Sequence, residues 1–275
     1  MGAQMNHTVV KSFEILKLVS RHKEGLTLAQ IVKALGLPKS TVFNIVHTLE
    51  DLEMLQQAGV SPPVYRLGIE SLKIGLAYLS GSSLDTVARP VLSKLCHDTN
   101  ETTFMSVRSG PADLVYVMKF LSDSEYQTTY SVGDVRPLLS LAMGKAMLSV
   151  LPEEEVRAII TPEMFSTCSI PTITDLNSLL EYLHTTQQIG YALDATAENA
   201  HFASQIAAPV LDIDGNRAGA ISLVIMHEPN NLERVHRLGK MVNAAALEIS
   251  KGMGYLRSSL YAADCAPPAA KIHGL

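Results

Sequence analysis

Five residues near the start of the chain could do recognition chemistry together. Lys39, Ser40, Thr41, Asn44 and His47 fall within nine positions, and Val42, Ile45, Val46 and Leu49 recur between them at helical spacing. That period predicts a helix with its apolar flank buried and its polar flank turned outwards. Hydroxyls, an amide and an imidazole suit the edges of DNA bases, and asparagine can read adenine with two hydrogen bonds. Ser40, Thr41, Asn44 and His47 are therefore the expected base contacts. Lys39 and, further on, Arg66 are the expected phosphate contacts, with Thr27 at the head of the preceding helix joining this set. The competing reading is a bare three-helix bundle with a solvated polar face.

A second set lies in the middle of the chain. Leu141 opens a helical pattern, so the N–H groups around Ala142, Met143 and Gly144 could receive a carboxylate or carbonyl oxygen. Equally, Ala142 and Gly144 could be small only to permit close packing. Ser222 sits on the last apolar strand, where its hydroxyl needs either a ligand or a local backbone partner.

The elements that must position these residues follow from pattern. Residues 8–21 form a first helix with Thr8 near its cap, and Thr27 starts a second through Leu35, ended by Gly36. Pro38 suits the first turn of the third helix, which runs to about Leu52. A turn-rich 57–63 followed by Val64–Leu67 predicts a β-hairpin, so the head reads as a winged helix-turn-helix over residues 1–67. A connecting helix is expected over 68–83 and a second domain over 84–257. Residues 258–275, with Pro267 and Pro268, read as a loose tail. The second domain opens with a helix at 84–100, followed by strands at 102–107, 114–120 and 127–131. Helices at about 141–150 and after Pro152 and Asp175 come next. Strands at 205–212 and 217–227 flank an Asp214-Gly215 turn, and a helix at 232–252 closes the domain. Strands and helices without βαβ repetition indicate an α+β class.

Composition excludes other classes. The chain is 47% hydrophobic and 18% charged, too apolar for disorder, yet its apolar stretches are too short to span a bilayer. Three scattered cysteines make no disulfide framework and place it in a reducing cytoplasm. The net charge of −5 hides an asymmetry. Residues 1–67 carry seven basic and five acidic side chains, against fifteen and twenty-two in the remainder. Only the head suits a polyanion. No phosphate-cradling glycine motif and no metal-ligand spacing among nine histidines occurs, so no cofactor and no metal are expected.

The run GLTLAQIVKALGLPKSTVFNIVHTLEDLEML with the following YRLG resembles the winged-helix head of IclR-type transcriptional regulators. VGDVRPLLSLAMGKAMLSVLPEEE, PTITDLNSLL, IGYALDATAEN and IAAPVLDIDGNRAGAISL resemble the body of that family in order and spacing, from about Thr8 to Tyr255. The resemblance implies a GAF-like body, an antiparallel sheet with packed helices. It implies dimers, or tetramers formed by pairing of dimers, on roughly palindromic double-stranded operator DNA. It also implies a small-molecule effector, with the connecting helix relaying its preference to the paired heads. Asp194 and Glu198 match acidic positions of the family's effector loop, where as anions they would repel a second carboxylate. Gln205 replaces a cysteine that many relatives carry, narrowing the pocket and adding an amide. Asn44 stands where the family usually shows arginine, and Val32 where a small alanine is common.

The expected function is a repressor of a catabolic operon, released by a short-chain carboxylate, semialdehyde or lactone-derived compound. A bulky residue at Gly144 is expected to leave DNA binding intact and abolish release. The alternatives are an activator of the same family, an enzyme using Asp194, Glu198 and His201 as acid–base groups, and an architectural DNA binder with a ligand-blind body.

Overall fold

The computed structural model describes residues 5–59, 62–80, 83–124, 128–195, 203–226 and 232–261. The chain divides into two compact units between residues 82 and 83.

In the first unit, α1 (His7–Ser20) is capped by Asn6, whose side chain accepts from the N–H groups of Thr8 and Val9. The cap thus lies two residues before the expected Thr8. A two-residue strand β1 (Leu26–Thr27) leads into α2 (Leu28–Leu35), which ends at Gly36 in the left-handed conformation, φ 63°. Helix α3 (Lys39–Asp51) begins after Pro38, which is its cap and not part of its first turn. Strands β2 (Leu55–Ala58) and β3 (Val64–Leu67) form the wing, and β1 completes a three-stranded sheet in the order β1-β3-β2. The sequence reading missed β1, which is too short to show a period. Ile15, Ile31, Val42, Val46 and Leu55 are the buried centre of this unit. Helix α4 (Ile69–Ser80) follows, with Ser71 Oγ donating to the Met54 carbonyl at 2.8 Å.

Thr27 holds the turn between β1 and α2. Its hydroxyl accepts from the Gln30 N–H at 3.3 Å while the Gln30 side chain accepts from the Thr27 N–H at 2.8 Å, a reciprocal capping box. Thr27→Ala is expected to destabilise the first unit by about 1 kcal/mol. Thermal unfolding of the full chain, followed by circular dichroism, checks this; an unchanged transition would mean that solvent caps α2 equally well.

The second unit begins with α5 (Ser83–Thr99), which contains Pro90. Strands β4 (Thr102–Ser109), β5 (Asp113–Phe120) and β6 (Val135–Pro137) follow. After a 3-10 turn at Leu138–Ser140 come α6 (Ala142–Leu148), α7 (Glu153–Ile159) and α8 (Leu176–Ile189). Strands β7 (Ala192–Ala195), β8 (Ala203–Leu211) and β9 (Arg217–Met226) precede the last helix, α9 (Leu232–Gly252). The six strands pair antiparallel in the order β6-β5-β4-β9-β8-β7. This is the α+β, GAF-like layout expected of the body.

Alternation along the strands gives the sheet two apolar faces. Ile206, Ala208, Ile221 and Leu223 pack with α5 and α9, whereas Ala207, Ala220 and Val224 pack with α6 and α8. Three expectations are corrected. Residues 128–131 are not a strand, because the carbonyls of Thr128 and Tyr130 accept from the Lys119 ammonium and not from a neighbouring strand. The segment 192–195, read as part of a loop, is β7 at the sheet edge. Residues 260 and 261, read as part of a loose tail, belong to the body: Leu260 and Tyr261 are buried in the apolar cluster of α5 and α9. Residues 262–275 lie outside the described part.

Candidate functional site

On the head, the outward flank of α3 carries exposed Ser40 and Asn44, with Thr41 and His47 half-buried. Lys39 is exposed at the start of the helix, with no carboxylate paired to it among the described residues. Arg66 projects from β3 of the wing, but its Nε donates to the Glu24 carbonyl at 3.1 Å and its Nη2 lies 3.4 Å from the Glu24 carboxylate. A phosphate would have to compete with Glu24 there. Thr27 is set apart from the others, its hydroxyl committed to the capping box. His47 also has partners: its Nδ1 lies 3.2 Å from Glu50 Oε2 and its ring packs edge-on against Phe43 at 4.2 Å.

In the body, register gathers residues that are far apart in sequence. Asp194 on β7 pairs directly with Gln205 on β8, Ala207 with Ser222 on β9, and Ser222 with Phe104 on β4. Gln205 and Ser222 thereby share the sheet face covered by α6. Every residue of α6 is buried. The Ala142 N–H at its start donates to Gln205 Oε1 at 2.9 Å, and Gln205 Nε2 donates to Ser222 Oγ at 3.2 Å. The first N–H of the helix end that the sequence reading left open is thus taken by the Gln205 amide. Gly144 lies against the 3-10 turn before α6, where a Cβ would fall 1.8 Å from the Leu138 carbonyl oxygen.

Asp194 is not a loop acid facing solvent. It is 2% exposed, and its Oδ2 lies 2.9 Å from the ammonium of Lys145, which is completely buried. Lys145 also donates to the Leu139 carbonyl at 2.7 Å and to Ser169 Oγ at 2.9 Å, and Ser169 donates to Asp194 at 2.7 Å. The sequence reading missed Lys145, although one lysine inside the apolar run LAMGKAMLSV demands a buried partner. Paired with it, Asp194 adds no net charge, so the expected repulsion of a second carboxylate is removed.

Asp194 Oδ1, Ser106 Oγ and Arg136 Nε on this side of the sheet have no hydrogen-bond partner among the described residues, and the Tyr116 hydroxyl, without one of good geometry, lies beside the Gln205 side chain. Burial, then the nearby Tyr130, pushes the Tyr116 phenol above its ordinary range, so it stays protonated and able to donate. Its ring lies 4.8 Å from that of Phe104 and 5.8 Å from that of Tyr130, which Arg136 covers. Glu198 and His201 lie outside the described residues. An open cleft of about 370 Å³ lined by Ser149, Gln187, Asp214, Tyr255 and Tyr261 contains none of the expected DNA- or effector-binding residues. Among the described residues, no helix is long and apolar enough to cross a membrane.

A winged helix-turn-helix followed by an α+β body with a buried polar cluster is the build of a DNA-binding transcriptional regulator. The IclR helix-turn-helix domain matches residues 8–59, and the bacterial transcriptional regulator IclR C-terminal domain matches residues 76–251. The chain belongs to the IclR family of transcriptional regulators. It is 30% identical over 250 residues to the HTH-type transcriptional regulator KipR of Bacillus subtilis (strain 168), covering 91% of this chain and 98% of that protein. The HTH-type transcriptional repressor AllR of Escherichia coli (strain K12) is 25% identical over 253 residues, 92% of this chain and 91% of that one. In fold, the chain is similar to an IclR homologue from Microbacterium hydrocarbonoxydans solved in complex with 4-hydroxybenzoate. The TM-score is 0.73 at 21% identity, over 90% of this chain and 98% of that one.

Proposed function

We propose that the protein is an effector-responsive repressor, acting in the cytoplasm as a homodimer or homotetramer on roughly palindromic operator DNA. Its effector is a small molecule taken up between α6 and the sheet. The observation that carries this reading is the unpartnered Asp194 Oδ1, with the Tyr116 hydroxyl beside Gln205, on the sheet face beneath the fully buried α6. A buried acceptor left unpaired calls for a partner, and a phenol set against one amide can turn to a second acceptor. A molecule with one hydroxyl and one carbonyl or carboxylate oxygen supplies both. The Lys145–Asp194 pair, neutral overall, admits a carboxylate that a lone aspartate would repel. Names of relatives support the repressor sense and the small acid: AllR is a repressor, and the Microbacterium homologue holds 4-hydroxybenzoate. The effector acts by binding one arrangement of the protein better than the other. Lys39, Ser40, Thr41, Asn44, His47 and Arg66 are proposed to meet the DNA, and no catalytic role is assigned to the body.

The test is a mobility-shift titration on DNA flanking the gene, at fixed salt, with and without metabolites of neighbouring pathways. Release by one compound is expected. For Tyr116→Phe, which removes one oxygen, operator affinity should be unchanged and release should need about three- to tenfold more of that compound. Equal response of Tyr116→Phe and the parent would move the effector away from Tyr116. Specific binding that no compound alters would leave a regulator without this sensing role.

A further inference from the structure

Phe43 occupies the flank of α3 that the sequence reading gave to polar residues alone. Positions 40, 43, 44 and 47 follow helical spacing, so the phenyl ring shares a face with Ser40, Asn44 and His47. It is 48% exposed and takes no part in the apolar cluster around Val42, Ile45, Val46 and Leu49. Its contact is instead with His47, whose ring meets it edge-on at 4.2 Å and 60°, while Glu50 holds His47 from the next turn. The fold therefore keeps an aromatic ring on the outer surface of the helix with a neighbour bracing it.

A phenyl ring offers no hydrogen bond to a base or a phosphate. The apolar group that a base pair displays in the major groove is the C5-methyl of thymine, and phenylalanine is a suitable contact for it. We propose that Phe43 is a specificity-determining residue that recognises a thymine methyl, next to Asn44, whose amide can read adenine. The step rests on the proposed contact of α3 with base edges, which for a helix means lying in the major groove. It assigns part of sequence choice to an apolar contact where hydrogen bonding alone was expected.

Replacing thymine by uracil removes that methyl and nothing else. Duplexes enriched by the full-length protein from a random-sequence DNA pool supply the probe, and each thymine is then exchanged for uracil in both half-sites together. At one position the exchange should weaken binding of the parent about tenfold, the loss of one buried carbon at each of two heads. Phe43→Ala should bind the thymine and uracil duplexes within about twofold of each other there, and Phe43→Leu should retain a preference for thymine. The proposal is overturned if uracil is tolerated everywhere by the parent, or if it weakens the parent and Phe43→Ala equally; enrichment of a specific duplex would still uphold sequence-specific DNA binding by the protein. Failure to enrich any duplex would overturn the groove reading and this assignment with it.

Discussion

Replacing Lys145 by methionine should lower the stability of the body by about 3–5 kcal/mol, the usual cost of leaving one member of a buried ion pair alone. Lys145 is fully buried, and its ammonium has its three donors placed on Leu139, Ser169 and Asp194. Methionine matches the stem in length but leaves the Asp194 carboxylate held by Ser169 alone, with no opposing charge. Asp194→Asn should cost a comparable amount by stranding the ammonium. The double variant Lys145→Met with Asp194→Asn should recover a large part of the loss, because no uncompensated charge remains. The chain has no tryptophan, so tyrosine near-ultraviolet circular dichroism during urea unfolding is the suitable reporter. Single variants within about 1 kcal/mol of the parent would mean that water reaches the pair.

Gly144 carries the second large effect, and its surroundings favour the close-packing alternative that the sequence left open. A side chain there would not merely crowd a ligand. Its Cβ would fall 1.8 Å from the Leu138 carbonyl oxygen and 2.7 Å from the carbonyl carbon, and backbone cannot rotate away. Even Gly144→Ala should cost about 1–3 kcal/mol through displacement of the turn before α6, and Gly144→Val more. Loss of effector response should therefore accompany a lower melting temperature of the body. A Gly144→Ala protein that melts like the parent, binds operator and ignores effector would show instead that the glycine makes room for ligand.

How much of this could be read in advance differs between the two units. The head's helices announce themselves through Val42, Ile45, Val46 and Leu49, because a three-helix core is built from contacts within one short stretch. Phe43 escaped notice for the same reason: a pattern that sorts residues into buried apolar and exposed polar has no place for an aromatic on the outer flank. In the body, the two longest strands, β8 and β9, and the turn at Gly215 show in composition. The pairing of Lys145 with Asp194 does not, since it depends on β7 joining the edge of β8 and on α6 lying across that register. The Gln205 side chain closing α6 depends on the same register. The mistaken strand at 128–131 fails because Lys119 claims its carbonyls, a preference no local pattern records.

The alternation along β8 and β9 separates two tasks on the same strands. Gln205 and Ser222 point towards α6, whereas Ile206, Ala208, Ile221 and Leu223 pack towards α5 and α9. Inheritance can thus revise one set of letters while leaving the other untouched. A lineage could exchange its chemical vocabulary on one face without rebuilding the scaffold on the other, provided that any new pair at 205 and 222 still satisfies the first N–H of α6.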